Sequence, residues 1–170
     1  LDGNDADASR TVNLVAAIQA QLVEAGFNPG PVDGKMGPLT RAALSEYQQA
    51  FGLSELKDKD LFNHLLVRAH FRRGYEHQVQ GEHDKSIKAY SEVLRLDPDH
   101  FSAHFNRGLI YYAENRYDVA IEDFDKIIDL RPDHAGAFVN RGNAYYQQGR
   151  YGDAARDYLK AIELWFTSLL

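Results

Sequence analysis

The feature that most restricts this chain is a period. Gly74, Gly108 and Gly142 fall 34 residues apart, and three further sets keep the same step: His77, Tyr111 and Tyr145; Tyr90, Phe124 and Tyr158; Leu96, Leu130 and Leu164. Agreement at so many places marks a repeated supersecondary unit. Such a unit cannot bury its apolar face alone and stacks on its neighbours. Each unit reads as two helices. In the middle one, Phe105, Leu109 and Tyr112 recur four and three apart, and Val119, Ala120, Ile121, Phe124, Ile127, Ile128 and Leu130 then form one broad stripe. Asn115, matched by Gly81 and Gly149, marks the turn, since both residue types tolerate the left-handed conformation that ends a helix. Pro98 and Pro132 close the first two units, because proline cannot continue the helix. The recurring glycine sits inside a helix, where it costs about 1 kcal/mol against alanine. Three copies of that cost imply a close approach of the partner helix.

These residues resemble the tetratricopeptide repeat family. The stretches "FNRGLIYYAENRYDVAIEDFDKIIDLRP" and "FVNRGNAYYQQGRYGDAARDYLKAIEL" follow its pattern: a small residue, an aromatic, the turn, Tyr117 or Tyr151, Ala120 or Ala154, Phe124 or Tyr158, and the closing proline of the first. The first unit departs at His77, His83 and Ser86. The resemblance covers about Val67 to Leu164, divided as 67–100, 101–134 and 135–164. It implies an all-α, right-handed solenoid of three helical hairpins, whose first helices line a concave groove for a partner protein or peptide. The groove would be lined by Arg68, Phe71, Arg72 and Tyr75, then Ser102, Phe105, Asn106, Leu109 and Tyr112, then Val139, Asn140, Asn143 and Tyr146. Asn106 and Asn140 would bond an extended peptide backbone, while Phe71 and Phe105 are equally open to packing the core between repeats. Phe71, Tyr75 and Gly136 stand where members that clamp a terminal carboxylate carry Lys or Asn. Only Asn106 fits, which argues against such a clamp.

Before Val67 the period is absent. Residues 1–10 read as a polar segment. Val12, Val15, Ile18 and Leu22 then recur at helical spacing, and Gly26 is a natural stop. Pro38 suits the first turn of a second helix, expected to bury Leu39, Ala42, Ala43, Tyr47 and Phe51 and to end at Gly52. Leu61, Phe62, Leu65 and Leu66 mark a third. No Gly or Pro lies between Gly52 and Gly74, so this third helix is expected to run straight into the first repeat. Between the first two helices lies "GFNPGPVDGKMGPLT", residues 26–40. It is not a phosphate cradle: Gly30 is one residue too close to Gly34, and Met36 stands where a Ser or Thr hydroxyl belongs. It is not a calcium loop either, lacking alternating oxygen ligands and a closing Glu. Asp33 is expected to accept hydrogen bonds from its own loop, Gly34 and Gly37 to permit positive φ, Met36 to plug the core, and Thr40 to bond back to the loop.

This segment resembles the peptidoglycan-binding type 1 domain. The resemblance rests on Ile18-Gln19, Leu22, Gly26-Phe27, Gly30, Asp33-Gly34, Met36-Gly37, Thr40, Ala43-Leu44, Tyr47-Gln48 and Gly52-Leu53, and covers residues 11–66. After Leu53 the family's glycine-containing run is replaced by "SELKDKDLFNHLL". The resemblance implies a small three-helix domain that binds peptidoglycan without catalysis, with Asp33, Lys35, Tyr47 and Gln48 as ligand-facing candidates. It also implies a place in the bacterial periplasm or cell envelope, secreted or lipid-anchored. Some relatives bind proteins instead, which keeps a cytoplasmic scaffold open.

Other classes are excluded or disfavoured. A net charge of −6 and a pI near 5.6 argue against nucleic acid or an anionic membrane as partner. No apolar run approaches the ~18–20 residues of a transmembrane segment. The start "LDGNDADASR" has neither the basic nor the apolar part of a signal peptide, and Leu1 in place of Met suggests a mature or trimmed product. Without cysteine there is no disulfide or thiol chemistry. His100 and His104 are four apart, but His134 and His70 stand at their repeat equivalents, so repetition explains the pair and no metal or other cofactor is expected. Asp123 and Asp157 are expected to pair with Arg107 and Arg141 rather than to move protons. After Leu164 comes "WFTSLL", with no closing proline and no polar cap. Trp165, Phe166, Leu169 and Leu170 are therefore expected to pack on further repeats or on another chain, as in a homo-oligomer. The reading is a non-enzymatic envelope adaptor. Its alternatives are a regulatory or targeting fragment of a larger cell-wall enzyme or protease, and a cytosolic assembly scaffold.

Overall fold

The computed structural model describes residues 3–167, with side chains from Val12 onward except that of Asp58. Among these residues there are eight α-helices and no strand: α1 (Gly3–Glu24), α2 (Pro38–Ala50), α3 (Asp58–Val79), α4 (His83–Leu96), α5 (Phe101–Ala113), α6 (Tyr117–Leu130), α7 (Ala135–Gln147) and α8 (Tyr151–Thr167). The chain forms two compact units, Leu1–Ala69 and His70–Leu170. As the stretch free of Gly and Pro predicts, α3 is one helix of 22 residues. The helix α1 begins at Gly3, so most of the expected polar segment is helical.

In the first unit, Ile18 and Leu22 of α1, Ala43, Leu44 and Tyr47 of α2, and Leu61 and Leu65 of α3 form the core, with Phe27, Met36 and Phe62 packed at its edge. Their three- and four-residue spacing gives each helix one apolar stripe. Gly26, at φ 88°, ends α1, and the Phe27 N–H bonds the Leu22 carbonyl at 2.8 Å. The buried face of α2 is Thr40, Ala43, Leu44 and Tyr47. Leu39 (55% exposed), Ala42 and Phe51 (41%) fall outside that stripe, contrary to expectation. Gly37 also differs. It is the extended N-cap of α2 with φ −82°, so its backbone needs no glycine.

In the second unit the three turns carry positive φ at Gly81, Asn115 and Gly149. The recurring glycines serve close approach. A Cβ at Gly74 would lie 2.7 Å from the Tyr90 ring, at Gly108 3.0 Å from Phe124, and at Gly142 2.8 Å from Tyr158. Around Phe124 the core is Ala120, Ile127 and Ala137, with Phe101, Phe105 and Leu109 against it. Ion pairs repeat with the fold. Arg107 grips Asp123 through Nε (2.9 Å) and Nη2 (2.7 Å), and Arg141 grips Asp157 at 2.7 and 2.8 Å, as expected from the sequence. Each arginine also reaches the preceding hairpin, Arg107 to Ser91 and Arg141 to Asp125. His100 and His134 cap α5 and α7, each Nδ1 accepting an N–H from Ala103 or Ala137. That accounts for their recurrence. His104 lies between the Asp123 carboxylate (2.7 Å) and the Pro98 carbonyl (2.9 Å).

Candidate functional site

The 26–40 loop is built around one side chain. Gln19 is 1% exposed on α1. Its Nε2 donates to Asp33 Oδ1 (3.1 Å), the Lys35 carbonyl (3.0 Å) and Thr40 Oγ1 (3.1 Å). Its Oε1 accepts the N–H groups of Asp33 (3.2 Å) and Gly34 (2.9 Å). One amide thereby satisfies a loop that has no regular backbone ladder of its own. Gly34 is buried at φ 73°, and a Cβ there would lie 2.7 Å from the Val12 carbonyl, so only glycine lets the loop lie flat on α1. Thr40 donates to the Pro29 carbonyl at 3.0 Å. Asp33 Oδ1 also accepts the Lys35 N–H at 2.9 Å. That backbone bond, and then the one from Gln19, hold the Asp33 carboxyl below the ordinary Asp range. Sequence reasoning noted Gln19 only as part of a family pattern. The available signal was an amide beside the apolar stripe of α1, opposite a loop rich in orphan backbone groups.

The four wall-facing candidates separate. Asp33 and Lys35 are exposed side by side at the loop tip. Gln48 is half-buried and donates to the Leu56 carbonyl at 3.2 Å, fixing the segment after α2. Tyr47 is a correction: it is 0% exposed, its ring packs on Phe27 and Phe51, and its hydroxyl meets His64 Nδ1 at 3.0 Å. An aromatic at the centre of three converging stripes is core, not ligand surface. Arg68 closes this cluster from above, its guanidinium 4.0 Å from the Phe51 ring centre.

His64 gives this unit a pH dependence. Burial first, and then the charge of Arg68, lower its pKa below 6.5. The groups facing it are Tyr47 and Arg68. The unfolded chain therefore binds a proton more readily than the folded one, and stability rises with pH through that window. The first unit is expected to keep its full stability above pH 6.5 and to lose part of it as pH falls below that value. Urea midpoints at several pH values, flattened in a His64→Gln variant, are the check.

The groove candidates of the second unit lie on α3, α5 and α7. Tyr75 (57% exposed) and Arg72 are on the surface of α3, with Arg72 Nε 3.5 Å from Glu76. On α5, Ser102 is exposed, while Phe105, Asn106, Leu109 and Tyr112 remain partly accessible at helical spacing. On α7, Val139, Asn140 and Asn143 are half-buried and Tyr146 is 55% exposed. The amides are held. Asn106 donates to the Tyr90 hydroxyl (3.1 Å), Asn143 accepts from the Tyr158 hydroxyl (2.8 Å), and Asn140 donates to the Gly136 carbonyl of its own helix (2.9 Å). Phe105 sits between Phe101, Phe124 and His134, and Phe71 against Tyr90 and His100, so both contribute to packing between helices. Arg68 lies in the first unit. At the end of α8, Trp165 and Phe166 are 55% and 68% exposed, while Leu169 and Leu170 lie outside the described residues.

Comparison with known proteins places both units. The family model "Tetratricopeptide repeat" matches residues 71–135 and 111–165. The chain belongs to the tetratricopeptide repeat family. The family model "Putative peptidoglycan binding domain" matches residues 11–55, so a peptidoglycan-binding domain precedes the tetratricopeptide repeats. All the groove candidates except Arg68 fall within the repeat match. Among solved structures, the "Crystal structure of MamA" is similar with a TM-score of 0.59 and 21% identity, over 75% of this chain and 80% of that one. The first repeat domain of Spaghetti (RPAP3) bound to the HSP90 peptide SRMEEVD gives 0.55 and 24%, over 58% and 78%. The yeast Sti1 "TPR2B-domain:pHsp70-complex" gives 0.56 and 20%, over 59% and 80%. At these identities the likeness is one of fold. No curated protein matches the chain significantly. Both matched families are binding domains, and no helix among the described residues is long and apolar enough to cross a membrane.

Proposed function

We propose that this chain is a non-enzymatic adaptor of the bacterial cell envelope. In this reading the N-terminal domain holds peptidoglycan, and the tetratricopeptide repeats hold an extended peptide of a partner protein. The observation that carries it is the union, in one chain, of a peptidoglycan-binding domain with a repeat array whose first helices present amides and aromatics. Two proteins of similar fold are described with a bound peptide or in a complex, which supports a peptide as the ligand class. The chemistry of α5 and α7 narrows it. Their arginines are committed to Asp123 and Asp157, and Ser102, Asn106, Val139, Asn143 and Tyr146 supply no charge. That favours a neutral peptide, bonded through its backbone and stacked on tyrosines, over an acidic terminus. On the wall side, Lys35 is the exposed cation of the pinned loop and the natural point to meet the wall's carboxylates.

Co-sedimentation with purified wall sacculi tests the first half. The intact chain is expected in the pellet, and Lys35→Glu to lower the bound fraction several-fold with the fold unchanged by circular dichroism. A chain that stays wholly in the supernatant sinks the reading.

A further inference from the structure

The exposed side of α8 carries a regular seam. Ala155, Leu159, Ile162 and Phe166 follow one another at steps of four, three and four, and the sequence continues the step at Leu169. This is heptad spacing, with Leu159 and Phe166 at a, and Ala155 and Ile162 at d. The seam lies in water: Leu159 is 68% exposed, Ile162 44% and Phe166 68%, and Ala155 is exposed as well. On α6 the equivalent residues are Ile121, Asp125 and Ile128; α6 packs on α7, and Arg141 of α7 bonds Asp125.

The face of α8 differs from the equivalent faces of α4 and α6. Arg107 reaches back to Ser91, and Arg141 reaches back to Asp125, each 16 residues earlier. The equivalent place on α8 is Leu159, which accepts no hydrogen bond. Phe166 stands where Pro98 and Pro132 end the earlier helices, and α8 runs to 17 residues against 14 for α4 and α6. Polar and helix-ending positions have become apolar and helical along one line.

We infer that this seam pairs with the same seam of a second copy of the chain, antiparallel, in a two-fold symmetric dimer. Size complementarity supports this occupant. Antiparallel pairing of a with d sets Leu159 opposite Ile162 of the second copy, and the small Ala155 opposite its large Phe166. Charge complementarity sets the orientation. The e positions beside the seam are Arg156 and Glu163, 78% and 62% exposed, and e meets e in an antiparallel pair. Each arginine then faces a glutamate of the other copy, twice by symmetry. A parallel pair would set these charges against the g positions, Tyr158 and Trp165, and gain no ion pair.

Sedimentation equilibrium across a micromolar concentration series tests this on the full chain. The expected result is a reversible shift from 19.2 kDa to twice that mass. Leu159→Glu, at an exposed position, is expected to leave the helix content intact and hold the chain at 19.2 kDa. Glu163→Arg alone should weaken the dimer on the order of tenfold, since both ion pairs become repulsive. Adding Arg156→Glu to it should restore the dimer. A single 19.2 kDa species at every concentration overturns the inference. So does a dimer indifferent to Leu159→Glu, a double variant that stays weak, or growth into open-ended assemblies.

Discussion

Replacing Asp123 with alanine is expected to cost about 3–5 kcal/mol of stability. The carboxylate is 3% exposed and receives two bonds from Arg107 and one contact from His104 Nδ1 at 2.7 Å. Its removal leaves the guanidinium of Arg107, 21% exposed, without its counter-charge between packed helices. The cost is the penalty of an unpaired buried charge, not the net worth of the pair, and so exceeds what one hydrogen bond contributes. Asp125 provides the contrast. It also bonds an arginine, Arg141, but it is 47% exposed, and that arginine keeps Asp157. Asp125→Ala should therefore cost less than about 1 kcal/mol. Urea denaturation checks both: the Asp123 midpoint falls steeply while the Asp125 midpoint barely moves. Equal losses would show that burial does not set the energetics of this ladder.

That ladder was legible in the sequence because the period made it so. A contact required in one hairpin is required in the next, so Asp123 with Arg107 and Asp157 with Arg141 announce each other at 34-residue spacing. The same logic located the left-handed turn at Asn115 and the close approaches at Gly74, Gly108 and Gly142. It also explained the spacing of His100 and His104 by repetition, and His100 and His134 are two copies of one helix cap. Where the chain does not repeat, less could be read. On α2 the apolar residues outnumber the places on one stripe: spacing put Leu39, Ala42, Ala43, Tyr47 and Phe51 all inside, and only Ala43 and Tyr47 are there. Packing from α1 and α3 decides that. Of the ligand-facing candidates, Lys35 is exposed, whereas Gln48 donates to the Leu56 carbonyl, a partner that no helical periodicity indicates.

Gln19→Leu is the second substitution with a large expected effect, and the one that bears on binding. Leucine keeps the volume of the side chain and removes five hydrogen bonds at once. The five are not equal. Asp33 and Lys35 are exposed and can turn to water, and Thr40 keeps the Pro29 carbonyl. The buried Gly34 N–H has no such recourse. A buried group left unpaired costs about 1–3 kcal/mol, so with the weaker bonds added the loss is about 2–4 kcal/mol. A domain of roughly 60 residues has little more than that to lose. The loop should then lift from α1. Gly34 lies so close to α1 that a Cβ there would meet the Val12 carbonyl, and the bond from its N–H to Gln19, which fastens it in place, is lost in the variant. Hydrogen exchange reads this directly: the Gly34 amide should lose most of its protection in the variant. The amides of α5 and α6, whose core is Phe124 and Ile127, should keep theirs. An unchanged Gly34 amide would mean that the loop stands without its central amide. Lys35 depends on that amide too, because its backbone carbonyl is one of the three groups to which Gln19 donates. If the loop tip meets the wall, Gln19→Leu must weaken sacculus binding without altering any exposed residue.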